Sequence, residues 1–240
     1  MRKNLGLIAL LGFAAAAILL VAAWLLSGKA GLLDFTLRMA DLRLPVCPED
    51  AAGRSASREI AWDGSPRMGT TLPGTVRYRR GGGTMMTVTG DAALITHVRL
   101  EEGDIKLDCR PARVNTGRFD ITLPGAPLRT FSLSGVTSLV LEDLDQPVLN
   151  LNLAGSSAVS GTGKAERLVI NAAGNSDARL GGLAAKEAEL NLAGASTAEI
   201  SVSDTVVINS VGAATVTLVG EPKSLKTNIV GSGRILHRQP

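Results

Sequence analysis

Few residues in this 240-residue chain are of types and spacings that could do chemistry. His97 and His237 are the two histidines, and neither has a cysteine or carboxylate at zinc-ligand spacing, so both read as surface residues and no metal site is expected. Gly161-Thr162-Gly163-Lys164-Ala165 resembles the end of a phosphate-binding loop. It fails as one, because Ala158 replaces the first required glycine and Ala165 the Ser/Thr that would meet the metal. Gly174-Asn175-Ser176 and Gly194-Ala195-Ser196 open like a Gly-x-Ser-x-Gly nucleophile elbow, but Ala178 and Ala198 stand where the closing glycine belongs. Glu142, Asp143 and Asp145 cluster in one turn, whereas Asp177, Glu189, Glu199 and Asp204 fall at different phases of a repeat. Clustered carboxylates could bind calcium or cut polysaccharide; a solvated loop is the preferred reading of this turn. No catalytic residue and no cofactor are assigned.

Cys47 and Cys109 are the only cysteines, and in an exported chain of this size a disulfide between them would pin the segment around Cys47 to the first strands. From Ser132 to Pro240 there is no Phe, Trp or Tyr. A sugar-stacking platform would therefore have to use Trp62, Tyr78, Phe119 or Phe131. Arginines 77, 79, 80, 99, 110, 113 and 118 concentrate upstream of the regular repeat and read first as a solvated basic face, with contact to anionic lipid or polysaccharide as the sharper reading. The formal net charge of +3 is too small for the chain to read as a nucleic-acid binder.

The elements that must position these residues are written in a period. Gly135, Gly155, Gly174, Gly194, Gly212 and Gly231 recur at intervals of 20, 19, 20, 18 and 19 residues. Six, four and two positions before each glycine the residues are mostly aliphatic, as in Leu149, Leu151 and Leu153 or Ala188, Leu190 and Leu192. Four and six positions after it they are again apolar, as in Leu139 and Leu141 or Val216 and Leu218. Alternation of period two at a repeat near twenty predicts an all-β solenoid of stacked coils, each with two strands hinged at the glycine. Three positions before the glycines stand Asn152, Asn171, Asn191, Asn209 and Asn228, which predicts an amide ladder that fixes register rather than a ligand track. Residues 59 to about 130 read as less regular first coils that shield one end of the solenoid, and about 129–238 as the regular coils.

At the N-terminus Arg2 and Lys3 precede an uncharged stretch from Leu5 to Leu26, long enough to span a bilayer. The flanking charge predicts a cytoplasmic N-terminus and export of the rest. Residues 1–30 are thus a signal anchor, favoured by the length of the apolar stretch, or a signal peptide cleaved near Gly28 and Ala30. Leu33, Leu37, Ala40 and Leu44 sit at helical spacing before Pro45, so 31–44 reads as a short amphipathic helix and 45–58 as a linker.

Residues 59–238 resemble the head GIN domain family, autotransporter adhesins of the bacterial envelope. The residues that carry the resemblance run from Val216 to Ile235, where Gly220-Glu221-Pro222 leads to a strand ending Gly231-Ser232-Gly233. Leu153-Ala154-Gly155-Ser156-Ser157-Ala158 and Leu192-Ala193-Gly194-Ala195-Ser196-Thr197 match the family's inner coil, with Ala or Val before most glycines where the family commonly has Ser or Gly. Ile121 to Leu128 resembles the lead-in to the first regular coil. The resemblance implies a right-handed parallel β-helix behind a secretion signal. The function expected is a non-enzymatic adhesin-like or scaffolding module of the envelope, inner-membrane-anchored and periplasmic in preference to secreted. Its partners are the membrane, through the N-terminal helix, and an unknown envelope protein or polysaccharide. The alternatives are a carbohydrate-active β-helix enzyme and a scaffold that self-associates through its terminal coils.

Overall fold

The computed structural model describes residues 45–48, 53–110 and 118–239. The apolar stretch at 5–26, the helix expected at 31–44 and Arg113 lie outside the described residues. Among the described residues no helix is long and apolar enough to cross a membrane. All the strands belong to the unit Val46–Pro240.

The first part of that unit is irregular: β1 (Ser55–Ala61), β2 (Arg67–Thr70), β3 (Gly74–Arg79), β4 (Met85–Asp91), the single turn α1 (Ala92–Ile95), β5 (Val98–Glu101), β6 (Asp104–Leu107), β7 (Phe119–Thr122) and β8 (Thr130–Gly135). The regular coils are β9 (Thr137–Gly155), β10 (Ala158–Gly174), β11 (Asp177–Gly194) and β12 (Thr197–Gly212), followed by β13 (Thr215–Val219), β14 (Ser224–Gly231) and β15 (Arg234–Arg238). The result is an all-β solenoid of about six turns.

Neighbouring coils are parallel and stack glycine on glycine, Gly155 against Gly174 against Gly194 against Gly212. The reason is steric. Gly194 has φ +99°, and a Cβ there would sit 2.7 Å from the Gly174 carbonyl oxygen. Only glycine tolerates both the left-handed backbone and the approach of the coil below. Two positions later Ser157, Ser176 and Ser196 are buried, each hydroxyl donating to a backbone carbonyl, so the corner's polar groups are matched as they leave water.

The expectation of two strands per coil needs correction. Along β9 the buried positions are Thr137, Leu139 and Leu141, then Leu144 and Gln146, then Leu149, Leu151 and Leu153. The inward phase shifts twice between glycine corners, so each coil has a short third face between two longer ones. The ladder registers the same shifts, between Gly161 and Gly163 and between Leu180 and Ala184. Stacked aliphatics fill the interior, with Leu151, Ile170, Leu190 and Ile208 at 0% exposure. Each such side chain contributes about 1.5–3 kcal/mol.

At the leading end β2 and β3 lie parallel to β8 and β9, as first coils should. Antiparallel pairs are added there: β1 with β4, β4 with β7, and β5 with β6. Ser55 to Arg58, within the stretch read as linker, is strand. Cys47 and Cys109 are joined by a disulfide, beside a bond from the Cys47 N–H to the Arg110 carbonyl at 2.9 Å.

Candidate functional site

The short third face of each coil has few side chains of any bulk. Its inward column is Gln146, Ala165, Ala185 and Val202, set one above the other by the parallel register. These four residues are 5–6% exposed, more than the 0–2% of most core aliphatics, because they form the floor of a groove of about 800 Å³. The groove runs across five successive coils, from Asp145 to Glu221, a length of about 19 Å at the strand spacing. Its volume is within the range of small-molecule sites.

One flank carries Asp145, Lys164, Ala184 and Ser201 in register. On the other, Lys186 and Glu166 form an ion pair at 3.0 Å, which holds the exposed lysine's pKa above its ordinary value through the hydrogen bond to the carboxylate. Lys164 has no carboxylate in contact among the described residues. At the same end the Arg80 guanidinium donates to the Asp145 carbonyl rather than to a carboxylate. The Gln146 Nε2, out of reach of water, finds no hydrogen-bond partner. The groove therefore has a floor of small residues closed at one end by Gln146, and its β9–β10 end carries the Lys164 ammonium in register with Asp145.

The residues singled out for chemistry are placed elsewhere or used structurally. Asp143 pairs with Arg79 at 3.1 Å at a left-handed turn, φ +49°, and Glu142 stands beside it facing solvent. Of that acidic turn only Asp145 reaches the groove. Gly163, in the phosphate-loop-like stretch, has φ +119° and packs on the Leu144 carbonyl, so it is a corner residue; Lys164 beside it is a groove cation. Ser176 and Ser196 are 1% exposed, which removes them as nucleophiles. Tyr78, Phe119 and Phe131 are core residues, Tyr78 donating to the Ala126 carbonyl at 2.6 Å, and Trp62 donates to the Ser65 carbonyl at 2.9 Å. The arginines are largely engaged, Arg77 with Asp120 and Arg99 with Asp108. The amide ladder runs Asn209 to Asn191 to Asn171 to Asn152 to Ser132 at 2.9–3.1 Å, while Asn228, aligned on Asn209, makes no such bond.

Sequence reasoning missed the groove and one cluster. His97 Nδ1 lies 2.7 Å from Asp108 Oδ1, with Arg99 on the same carboxylate. Among the described residues His97, Asp108 and Cys109 are the group close enough to hold an ion, but Cys109 spends its sulfur on the disulfide. The signal was present: His97 and Asp108 are equidistant from the Glu102-Gly103 turn, where Glu102 has φ +50°. Small residues at the third face, Ala165 and Ala185, were the corresponding signal for the groove.

The model of one family matches residues 72–222, well over half of the chain. Several solved structures resemble the chain, among them the following three. A crystal structure of a putative adhesin from Bacteroides fragilis has a TM-score of 0.55 at 13% identity, covering 80% of this chain and 100% of its own. A putative lipid binding protein from Parabacteroides distasonis has a TM-score of 0.47 at 16% identity, over 79% and 99% of the two chains. A putative adhesin from Parabacteroides merdae has 0.43 at 14%, over 78% and 97%. At these identities the first supports the fold alone. No curated protein matches. The glycine-cornered coils and their span of sequence agree with the family match: the chain belongs to the family described as "Putative auto-transporter adhesin, head GIN domain".

Proposed function

We propose that this chain is a non-enzymatic, adhesin-like interaction module of the bacterial cell envelope. In this reading it is a right-handed β-helix, the hand that parallel crossovers favour, held at the membrane by its N-terminal segment with the coils on the exported side. The disulfide fits an oxidising compartment. The observation that carries the reading is the groove across five coils, a rigid recess built from stacked backbone with a floor of small residues and charged groups of both signs along its sides. Binding of an extended ligand along the coil axis is what such a surface does well.

A photo-crosslinking residue at Ser201, on the groove flank, tests it in cells, with the same residue at Asn171, on the amide-ladder face, as the control. Reproducible adducts with one envelope component at 201 and not at 171 are expected. Equal adducts at both sites, or turnover of a polysaccharide by the purified chain, would overturn it.

A further inference from the structure

The last coil leaves the solenoid with an open edge. Among the described residues β14 pairs with β12 alone and β15 with β13 alone, so one side of each strand presents unpaired backbone N–H and C=O groups. Apolar side chains gather at the same end. Of the seven large ones exposed among the described residues, Val211, Leu225, Val230 and Leu236 stand on the last coils. Leu225 and Ile229 keep the inward phase, in register with Val206 and Ser210 of β12, and one more strand would cover them. Proteins commonly guard such an edge with charge, yet β14 carries a single charged residue, Lys226.

The leading end offers this edge no match. Its outermost strand, β1, reads Ser-Ala-Ser-Arg-Glu-Ile-Ala, and Arg58 within it is spent on the carbonyls of Ile95, Thr96 and Val98. Head-to-tail stacking into a filament therefore lacks a complementary surface. β14 does match itself. Laid antiparallel on a second β14 about a twofold axis at Thr227, Leu225 faces the partner's Ile229 and Lys226 faces the partner's Asn228. The inward aliphatics then meet aliphatics, and no like charges stand directly opposite. Asn228, the ladder member left without an amide bond, becomes the lysine's neighbour.

We propose that two copies of this chain join tail to tail through β14, in a closed twofold dimer that adds an antiparallel strand to each open edge. One pairing of eight residues is a small interface, so the dimer is reversible, with a dissociation constant on the order of 10–100 µM in free solution. Below that concentration the monomer keeps its open end. Neither β14 nor β15 lines the groove, so the dimer stands or fails independently of the groove's role.

The test uses the full chain in membranes of expressing cells, with one added cysteine per variant, the native pair being joined to each other. On oxidation T227C, at the twofold axis, should form a covalent dimer. V230C, which lies across from the partner's Ser224 rather than from itself, and E59C, on β1, should do so at least about tenfold more slowly. A second measurement needs no added cysteine. Hydrogen exchange across Ser224–Gly231 of the full chain in detergent should slow about fivefold as its concentration is raised from about 1 to 300 µM. N228K, which sets a lysine against the partner's Lys226, should reduce that slowing to less than about twofold, and K226E/N228K, which opposes unlike charges, should restore it. Both positions are exposed, so the coil itself is kept. Equal cross-linking at all three positions, or exchange indifferent to concentration and to the charge swap, would overturn the dimer. Cross-linking of T227C to a foreign protein in place of its own copy would overturn it in favour of another chain's strand.

Discussion

The outward asparagines show how a single residue type is used twice at different strength. Asn171 donates to Asn152 and accepts from Asn191, both near 3 Å, while Asn228 is exposed and outside the ladder. Asn171→Ala should therefore cost about 1 kcal/mol, two solvent-exposed hydrogen bonds, and Asn228→Ala less than about 0.5 kcal/mol. Urea unfolding of the two variants checks this, and equal losses would mean the ladder carries no energy of its own. Tyr78 makes the complementary case in the core. Its hydroxyl donates to the Ala126 carbonyl and accepts from the Leu128 N–H, and burial pushes its pKa above the ordinary 10.0. A raised folded-state pKa means the neutral phenol's contribution is complete below pH 10 and is lost as pH rises through the folded value. Tyr78→Phe should cost about 1–2 kcal/mol at pH 7, and the gap to wild type should narrow above pH 10. A gap that stays constant in alkaline titration would place the phenol in water.

Among the elements, the tether at Cys47 is the one with most leverage per residue. The disulfide closes a loop with a sequence separation of 62 and fixes the segment that leads into β1 against the end of β6. On the loop-entropy account the C47S/C109S double variant should lose about 4 kcal/mol, checked by guanidinium unfolding with and without reductant. Wild type in reductant should match the variant. The long faces of the coils were legible in sequence because each repeats three inward aliphatics and a glycine, a signal that sums over six copies. The short face was not, since two inward positions per coil cannot establish a period and alanine is neutral about its surroundings. That is why Ala165 and Ala185, which help make the groove, gave no sign of it, while the serines at 176 and 196, which have a structural task, stood out. The antiparallel additions at the leading end were unreadable for another reason: the segments at 97–100 and 103–107 alternate equally well in either direction, and only the turn at Glu102-Gly103 decides.

At the scale of the whole solenoid, the two ends of the described coils are finished differently. The leading end is sealed by β1 and β4, by α1, which buries Leu94 and Ile95, and by the disulfide, so that Met86, Val88 and Val98 are at 0% exposure. At the other end β14 pairs with β12 alone and β15 with β13 alone, leaving the inward-phase Leu225 at 38% exposure where its register partner Val206 is at 0%. Stability in a stacked array is a sum over coils and their neighbours, so a coil with one neighbour opens first and the rest follow in order. In this chain, hydrogen exchange read by mass spectrometry should be slowest in β9 to β11 and faster by about a hundredfold or more across Ser224 to Arg238, since one missing neighbour forfeits several aliphatics at about 1.5–3 kcal/mol each. Uniform exchange would instead mean that the coils open together. A ligand in the groove would act on this gradient in a defined way, because it touches β9 to β13 and neither β14 nor β15. It should slow exchange in the middle coils and leave the last ones as they were, which separates a bound groove from a covered end.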